Sequence, residues 1–406
     1  MRLFARGLSA AALVLAPLTV AGTPAVAAIP LPTPATALAP LRTHDDAVAG
    51  QYIVTVQKTL DPSSIAQSIG LKPFFTYSRA LRGFAITLDP AQLDTVRRTP
   101  GVEAVEENAS VTAYDLAGTT VPAVPAVDGV VRAAAGTWGL DRIDQRNLPL
   151  DGQFTTVGKG AGATAYIMDT GIDFGHSEFG GRAVPGFDAI GDGRNGQDCA
   201  GHGTHVAGTV GGATYGVAPK ANLVSVRVLG CDGKGSWAGI IAGFDWVAKN
   251  AKQPAVLNAS LGGGYSPAVN DAATALADAG VLPVVAAGNS SEDACDVSPA
   301  SAPGALTVGA TDSADHQTDF SNYGACLTLY APGQDIVSAK LGGGSIALDG
   351  TSMASPHATG VALLYKAANP AAGASDVSSW IASQATANVL TVSAGSPNRL
   401  LYTGGL

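Results

Sequence analysis

Short apolar segments alternate with helical stretches from residue 138 onward, and this alternation constrains the fold more than any other feature. The predicted strands lie at 163–168, 223–228, 255–260, 282–287 and 305–309, and the predicted helices at 202–211, 237–252, 268–279 and 352–368. Alternating strands and helices build a mainly parallel sheet with helices on both faces. Residues that carry chemistry then belong at the carboxyl ends of the strands. The sequence therefore predicts a three-layer α/β domain over 137–406.

A smaller unit precedes this domain. Residues 51–114 contain predicted strands at 52–56, 84–88 and 102–111, with predicted helices at 61–69 and 90–97. This order is typical of a small α+β domain of the ferredoxin-like type. Residues 115–136 are rich in Pro, Ala, Val and Gly with little periodic pattern, so we interpret them as a linker.

The amino terminus has the pattern of an export signal. An arginine-bearing start precedes an apolar run at 8–20, and the small residues at 25–27 offer a cleavage site. The alternative is an uncleaved anchor helix, but the run is short for a bilayer and Pro17 interrupts it. We therefore predict a removed signal peptide at 1–28, a disordered pro-region at 29–50, and a secreted product that is not held in a membrane.

Charge excludes one class of partner. The 406 residues carry a net charge of −9, and no cluster of Lys and Arg occurs. Nucleic-acid binding depends on such clusters, so we predict no nucleic-acid partner. We expect a monomer.

Four residues have the chemistry needed for acyl transfer. Asp169 and Asn289 follow predicted strands, His202 begins a predicted helix between two glycines, and Ser352 lies among small residues at the start of another. A serine at a helix N-terminus lies beside unpaired N–H groups that stabilise a negative oxygen. The glycines beside His202 would let a substrate approach its ring.

Each of these residues also has a simpler interpretation. Asp169 could cap a helix or form a turn, and Asn289 could occupy an unusual backbone angle at a turn. His202 and His205 have the i,i+3 spacing of metal ligands. The metalloprotease helix needs H-E-x-x-H, which is absent here, so a metal role is disfavoured.

The order of the residues separates two kinds of serine hydrolase. An α/β-hydrolase esterase needs Gly-x-Ser-x-Gly and the order Ser, acid, His. Here the serine segment ends in Ala354, and the only later histidine, His357, precedes the only later acid, Asp376. A catalytically silent binding protein should have lost one of the four residues, and none is missing.

The segments that carry Asp169, His202 and Ser352 resemble those of the subtilisin-like serine proteases. Over about 138–402 the chain is most similar to the proteinase K branch, and within it to the aqualysin-type members. The resemblance implies a secreted endopeptidase without an organic cofactor. Asp169 would orient His202, His202 would take the proton of Ser352, and Ser352 would be acylated. The N–H of Ser352 and the side chain of Asn289 would bind the oxyanion.

The same resemblance implies substrate-binding segments and an inhibitor. Ser260-Leu261-Gly262 and Gly233-Lys234-Gly235 are similar to the two family segments that bind the substrate backbone. The alternative, which concerns Lys234 above all, is that they are flexible surface loops. The small domain resembles the inhibitory propeptide, which assists folding and is removed by self-cleavage, here near Tyr114.

The four cysteines are interpreted in two steps. Their even number in an exported chain favours two disulfides, but three pairings are possible from the count alone. The resemblance implies the pairs Cys199–Cys231 and Cys295–Cys326.

Calcium is also implied by the resemblance. Asp141, Asp144 and Gln145 lie in a segment similar to a structural calcium site, and they offer the hard oxygen ligands that calcium prefers. Asp151 and Gln153 stand where further ligands would be, although both depart from the usual residues. At a second family site this chain has Thr328 in place of an aspartate, which argues against that site.

Overall fold

The structure is a computed structural model that describes residues 38–113, 119–121 and 138–406. The predicted signal peptide at 1–28 lies outside the described residues. So does most of the predicted linker at 115–136.

Residues 38–113 form the small domain. Its sheet has the strand order β5-β2-β4-β3, in which all neighbours are antiparallel, and two helices pack against it. This order confirms the predicted ferredoxin-like arrangement. The elements are β1 (Leu41–Arg42), β2 (Ala47–Val56), α1 (Pro62–Ser68), β3 (Phe75–Tyr77), β4 (Gly83–Thr87), α2 (Pro90–Arg98) and β5 (Val102–Ala113).

Local sequence explains the two helices of this domain. The carboxylates of Asp61 and Asp89 accept backbone N–H groups at the starts of α1 and α2, and a proline follows each. Gln92 completes a capping box in α2. Such caps satisfy N–H groups that the helix itself leaves unpaired.

Part of the segment predicted to be disordered is ordered. Residues 38–50 contain β1 and the start of β2, because both find backbone partners in β5. Leu41 pairs with Val105, and Ala47 pairs with Ala109. The low-complexity composition of 29–50 concealed these pairings, since strand pairing depends on a distant segment.

Residues 138–406 form the large domain. The strand β6 (Thr119–Val121) precedes it within the predicted linker. The elements of the domain are α3 (Trp138–Asp144), β7 (Thr164–Asp169), a 3₁₀ turn (Ser177–Phe179), β8 (Ala183–Asp188), α4 (His202–Gly211), β9 (Asn222–Arg227), β10 (Lys234–Ser236), α5 (Trp237–Asn250), β11 (Ala255–Ala259), β12 (Leu261–Gly264), α6 (Pro267–Asp278), β13 (Leu282–Ala286), a second 3₁₀ turn (Ala294–Asp296), β14 (Val297–Ser298), β15 (Leu306–Thr311), β16 (Leu329–Pro332), β17 (Ile336–Ala339), β18 (Ser345–Leu348), α7 (Thr351–Ala368), α8 (Ala374–Gln384), β19 (Thr386–Ala387) and β20 (Arg399–Leu400).

A nine-stranded sheet forms the centre of the large domain. Its order is β19-β20-β16-β15-β13-β11-β7-β9-β8, and only β19 runs antiparallel to its neighbour. Ala165 and Ile167 of β7 pack with α4 and α7, whereas Tyr166 and Met168 pack with α5 and α6. Successive residues of a strand point to opposite faces, so both faces of the sheet are covered. The three-layer α/β prediction is confirmed.

Three adjacent strands end at the same edge of this sheet. The neighbours β13, β11 and β7 are parallel and lead directly into Gly288-Asn289, Ser260 and the turn after Asp169. Helices α4 and α7 pack against each other beneath this edge. Within the described ranges, no helix has the length and apolar character needed to cross a bilayer.

Candidate active site

Asp169 and His202 are joined by a short hydrogen bond. Asp169 is the last residue of β7, His202 is the first residue of α4, and Nδ1 of His202 lies 2.7 Å from Oδ1 of Asp169. Both side chains are buried. Burial raises the pKa of Asp169, while the charge of His202 and the N–H of Thr170 oppose that rise. The pair therefore holds the imidazole in one orientation.

The two glycines beside His202 each have a structural role. A Cβ on Gly203 would lie 2.2 Å from the carbonyl oxygen of Gly171, so this glycine lets α4 approach the turn after β7. Gly201 has a φ of +103°, which side chains rarely adopt. Gly203 therefore brings His202 to Asp169 by allowing the helix to pack closely against the turn after β7.

Asp198 is a buried residue that the sequence analysis missed. Its Oδ1 accepts the hydroxyl of Thr170 at 2.9 Å and the N–H of Gly201 at 3.0 Å. Its Oδ2 accepts both the N–H and the hydroxyl of Thr204. Asp198 thus ties the turn after Asp169 to the first turn of α4. Its position four residues before His202, close to where a capping residue often lies, was the available signal.

Ser352 is the second residue of α7, and two hydrogen bonds join it to Ser260. The Oγ of Ser352 donates to the carbonyl oxygen of Ser260 at 3.2 Å. In return, the Oγ of Ser260 donates to the carbonyl oxygen of Ser352 at 2.9 Å. The N–H of Ser352 lies in the first turn of the helix, where N–H groups have no helical acceptor.

The buried side chain of Asn258 positions the segment that carries Ser352, and the sequence analysis did not identify it. Nδ2 of Asn258 donates to Oγ of Ser260 at 2.9 Å. Its Oδ1 accepts the hydroxyls of Ser355 and Thr359 at 2.9 and 2.8 Å. Asn258 lies in β11 and the two hydroxyls lie in α7, so this network fixes the start of α7 against the sheet. Asn258 is fully buried.

Asn289 lies next to the start of α7. Its Oδ1 accepts the N–H of Thr351 at 3.0 Å and the hydroxyl of Thr351 at 2.7 Å. The same hydroxyl accepts the N–H of Gly288 at 3.1 Å. Because Thr351 holds the amide oxygen, the orientation of the amide nitrogen, which is its donor, is fixed as well.

The two segments predicted to bind substrate flank one strand of the small domain. The end of β5 pairs antiparallel with β10 on one side and with β12 on the other. Thr112 faces Lys234 and Gly262, and Ala113 faces Leu261. These residues therefore form backbone ladders, which contradicts the interpretation as flexible loops. Tyr114 lies outside the described residues.

Strand β10 depends on a glycine. A Cβ on Gly235 would lie 2.3 Å from the carbonyl oxygen of Val228, so only glycine lets this strand lie against its neighbour. Ser236 follows and caps α5 through the N–H of Gly239. The strand and the helix after it are thereby fixed together.

The other histidines of α4 and α7 are buried and hydrogen-bonded to backbone. Nε2 of His205 lies 2.9 Å from the carbonyl oxygen of Ile336, and burial lowers the pKa of His205 to about 3. Nδ1 of His357 lies 2.8 Å from the carbonyl oxygen of Met353, and burial lowers its pKa to about 4. Across the part of the chain that the structure describes, no three His, Cys, Asp or Glu residues are grouped as metal ligands. Its burial and its backbone hydrogen bond place His205 in the core.

The segment predicted to bind calcium gathers carboxylates at α3. Oδ2 of Asp141 accepts the N–H of Gly152 at 2.8 Å, while its buried Oδ1 has no hydrogen-bond partner. Oδ2 of Asp144 accepts the N–H of Thr155 at 2.7 Å. Burial raises the pKa of Asp144 to about 6, and the charges of Asp141 and Asp151 add to the rise. The amide of Gln145 bonds instead to the backbone of the following loop.

The cysteines form the two predicted pairs. Cys199–Cys231 joins the segment before His202 to the segment before β10, with a Cα–Cα distance of 4.9 Å. Cys295–Cys326 has a Cα–Cα distance of 5.2 Å.

Comparisons with known proteins agree with this architecture. The Subtilase family matches residues 160–401, and the Peptidase inhibitor I9 family matches residues 51–114. An extracellular serine proteinase of Thermus sp. (strain Rt41A) is 45% identical over 387 residues, which are 88% of this chain and 90% of that protein. Alkaline serine exoprotease A of Vibrio alginolyticus is 43% identical over 380 residues, which are 89% of this chain and 69% of that protein.

A solved structure extends the comparison to the fold. The crystal structure of a cold adapted subtilisin-like serine proteinase matches with a TM-score of 0.65 and 50% identity, covering 66% of this chain and 97% of that chain. The fold and these relatives define a serine protease with an amino-terminal inhibitor domain. The chain belongs to the subtilase family, and its small domain is a propeptide of the I9 type.

Proposed function

We propose that Asp169, His202 and Ser352 form the catalytic triad of this protease. Oγ of Ser352 attacks the peptide carbonyl while Nε2 of His202 takes its proton. The imidazolium then gives that proton to the departing amine, which leaves an acyl group on Ser352. Water attacks the acyl carbon with His202 again acting as base, and Ser352 regains its proton. The proposal is supported by the 2.7 Å bond between His202 and Asp169.

The oxyanion of each tetrahedral intermediate is bound by two donors in this proposal. One is the N–H of Ser352 in the first turn of α7, where the helix dipole also favours negative charge. The other is Nδ2 of Asn289, whose amide orientation is set by Thr351.

A substrate binds as an added strand between β10 and β12. The register of β5 supports this, since Thr112 faces Gly262 and Ala113 faces Leu261. The next residue along the chain is Tyr114, so we place self-cleavage after Tyr114. The protein is made with a removable signal at 1–28 and a propeptide, is exported, and acts as a monomer on extended protein chains.

Calcium fits the carboxylates of α3. The donor set is made of hard oxygens, and the buried Oδ1 of Asp141 lacks a partner. Asp141 and Asp144 would hold the ion, with Asp151 beside them. The side-chain oxygen of Gln145 accepts the N–H of Asp151 at 3.2 Å and has a second lone pair to offer the ion. Burial, and to a smaller degree the charges of Asp141 and Asp151, raise the pKa of Asp144. Bound calcium would favour the ionised carboxylate and would stabilise the loop after α3.

Substitution of the nucleophile tests the proposed function. We expect Ser352→Ala to lose propeptide release, labelling by a fluorophosphonate and casein hydrolysis, with at least about a 10⁴-fold loss of turnover. Ser379 is one of the exposed serines of α8, and the matched control Ser379→Ala should mature normally. Normal maturation and digestion by Ser352→Ala would disprove the mechanism.

Chelation tests the calcium proposal. We expect a calcium chelator to lower the melting temperature of the Ser352→Ala protein, and excess calcium to restore it. The double variant Asp141→Asn, Asp144→Asn should melt at the same temperature with and without chelator. An unchanged melting curve in the Ser352→Ala protein would contradict this site.

A further inference from the structure

Upstream of the cleft, β5 crosses the N-termini of two long helices of the protease domain. Oδ1 of Asn108 accepts the N–H of Ala238 at the start of the 14-residue helix α5, at 2.9 Å. Oε1 of Glu106 accepts the hydroxyl of Ser266 at 2.5 Å, and Oε2 accepts the N–H of Ala268 at 3.3 Å. Ser266 is the N-cap of the 12-residue helix α6. Each helix start thus binds a side-chain oxygen of the small domain.

The carboxylate of Glu106 is an observed ligand of α6. The residue is 2% exposed, and its other partners are Nε2 of His44 at 3.0 Å and Nη1 of Arg42 at 3.8 Å. Both of those partners belong to the small domain and leave with it. What remains on the protease domain is the hydroxyl of Ser266, the N–H of Ala268 and the partial positive charge of a helix start. These groups favour an anion.

We propose that these helix starts form a remote subsite of the mature protease that binds an acidic side chain of the substrate. The acid lies seven residues before the residue that faces Leu261, as Glu106 does relative to Ala113. Two residues later in the substrate, an amide or other oxygen-bearing side chain accepts an N–H at the start of α5, as Asn108 does. This inference rests on the proposed function, because it places substrate on the path that β5 follows.

Strand alternation makes the subsite selective for position. Glu106 and Asn108 are two residues apart and lie on one face of β5, directed at the protease domain. The carboxylate of Glu107 instead accepts the backbone N–H of His44 within the small domain, at 3.0 Å. A neighbouring acid of the same type therefore provides a matched control.

Peptide substrates test the subsite on the mature enzyme. The probe is a peptide with the sequence of residues 102–114 followed by a fluorogenic amine, compared with its Glu106→Gln and Glu107→Gln forms. We expect Glu106→Gln to lower kcat/KM on the order of 10-fold, because a charge-assisted bond at a helix start is lost. The change should appear in KM, since the contact is made equally in ground and transition states. Glu107→Gln should change kcat/KM less than about twofold.

A variant of the enzyme provides the reciprocal test. Ser266→Asp keeps a good N-cap for α6 but places a negative charge where the substrate carboxylate binds. The kcat/KM of the unsubstituted peptide divided by that of its Glu106→Gln form should fall to about one or below in this variant. Because the two peptides are compared on the same enzyme, a general loss of enzyme stability does not alter this ratio.

A shorter peptide tests the proposed function separately from the remote subsite. The peptide of residues 111–114 with the same fluorogenic amine reaches only the cleft. If it is cleaved while the long peptide and its Glu106→Gln form are cut equally well, the subsite is overturned and the proposed function stands. An equal effect of Glu107→Gln would also overturn the subsite. Failure to cleave either the short or the long peptide would overturn the proposed function, and the subsite with it.

Discussion

The orientation of the Asn289 amide is determined by Thr351. Two hydrogen bonds from Thr351 reach Oδ1 of Asn289, and the Thr351 hydroxyl also accepts the N–H of Gly288. The amide is therefore fixed before any substrate enters. A donor that is already oriented needs no reorganisation when negative charge develops.

Replacing this donor should slow turnover. Asn289→Asp keeps an oxygen for Thr351 and removes the N–H donor, so we expect kcat to fall by about 10²- to 10³-fold with little change in KM. Thr351→Val keeps the Nδ2 donor of Asn289 but removes a hydroxyl that orients the amide. The expected loss of kcat is therefore smaller, on the order of 10-fold. Steady-state kinetics on a chromogenic peptide would measure both. A loss below about tenfold for Asn289→Asp would contradict an oxyanion role.

The proposed catalytic residues were easier to predict than the residues that position them. Asp169, His202, Asn289 and Ser352 stand at predicted strand ends and helix starts, where sequence patterns alone identify candidates. Asp198 and Asn258 act through contacts with distant segments, such as the two hydroxyls of α7 that Asn258 accepts. The local sequence of β11 does not indicate those partners, because only the packing of α7 on the sheet brings them together.

At the scale of elements, helices α4 and α7 each bury a neutral histidine. Burial lowers the pKa of His205 to about 3 and that of His357 to about 4. In an unfolded chain a histidine titrates near about 6.5. Between these values the unfolded chain binds more protons than the folded one, so stability is full above about pH 6.5 and is lost as pH falls toward the folded pKa.

This linkage predicts the acid sensitivity of the protein. In the Ser352→Ala background, the free energy of unfolding should fall between about pH 6 and about pH 4.5 by about 1.4 kcal/mol per pH unit for each buried histidine. His205→Gln should remove about one such contribution from the slope, as measured by urea denaturation. The control His316→Gln changes a histidine whose side chain is 55% exposed and should leave the slope nearly unchanged. Equal slopes in all three proteins would contradict the assignment.

The bounds of two long helices were predicted closely, and the elements that were missed have physical reasons. Helix α4 was predicted with its observed bounds, and α5 to within two residues at its end. The strand β3 was missed because three residues are too few to show alternation. Helix α8 was also missed, although its buried residues 374, 377 and 381 recur at helical spacing and could have identified it.

At the scale of the whole molecule, a buried carboxylate of α5 holds a turn of the small domain. Oδ1 of Asp245 accepts the N–H groups of Ser78, Arg79 and Ala80, at 2.5 to 2.9 Å. The hydroxyl of Tyr77 donates to the carbonyl oxygen of Ala238 beside them. Three N–H donors converge on this one oxygen, so the contact depends on the Asp245 side chain.

Removing this carboxylate should release the propeptide faster. In Asp245→Ala three N–H groups lose their acceptor, so we expect the lag between self-cleavage and full activity to shorten by about 10-fold or more. Lys249→Ala is the control, because Lys249 contacts the other oxygen of Asp245 and is 37% exposed. Time courses of peptide hydrolysis after dilution of the zymogen would measure the lag. An unchanged lag in Asp245→Ala would show that the contact does not limit release.

Strand β5 belongs to two sheets at once, since it pairs with β2 inside the small domain and with β10 and β12 in the cleft. Its 12 residues form one continuous strand, so the same backbone serves the folding of the inhibitor and the blocking of the enzyme. Unfolding of the small domain and release of β5 from the cleft are therefore coupled. Any event that melts the small domain, such as a nick in one of its loops by a neighbouring active molecule, also empties the cleft. Activation should then spread autocatalytically through a population of zymogens, because each freed enzyme can cleave the small domain of another zymogen.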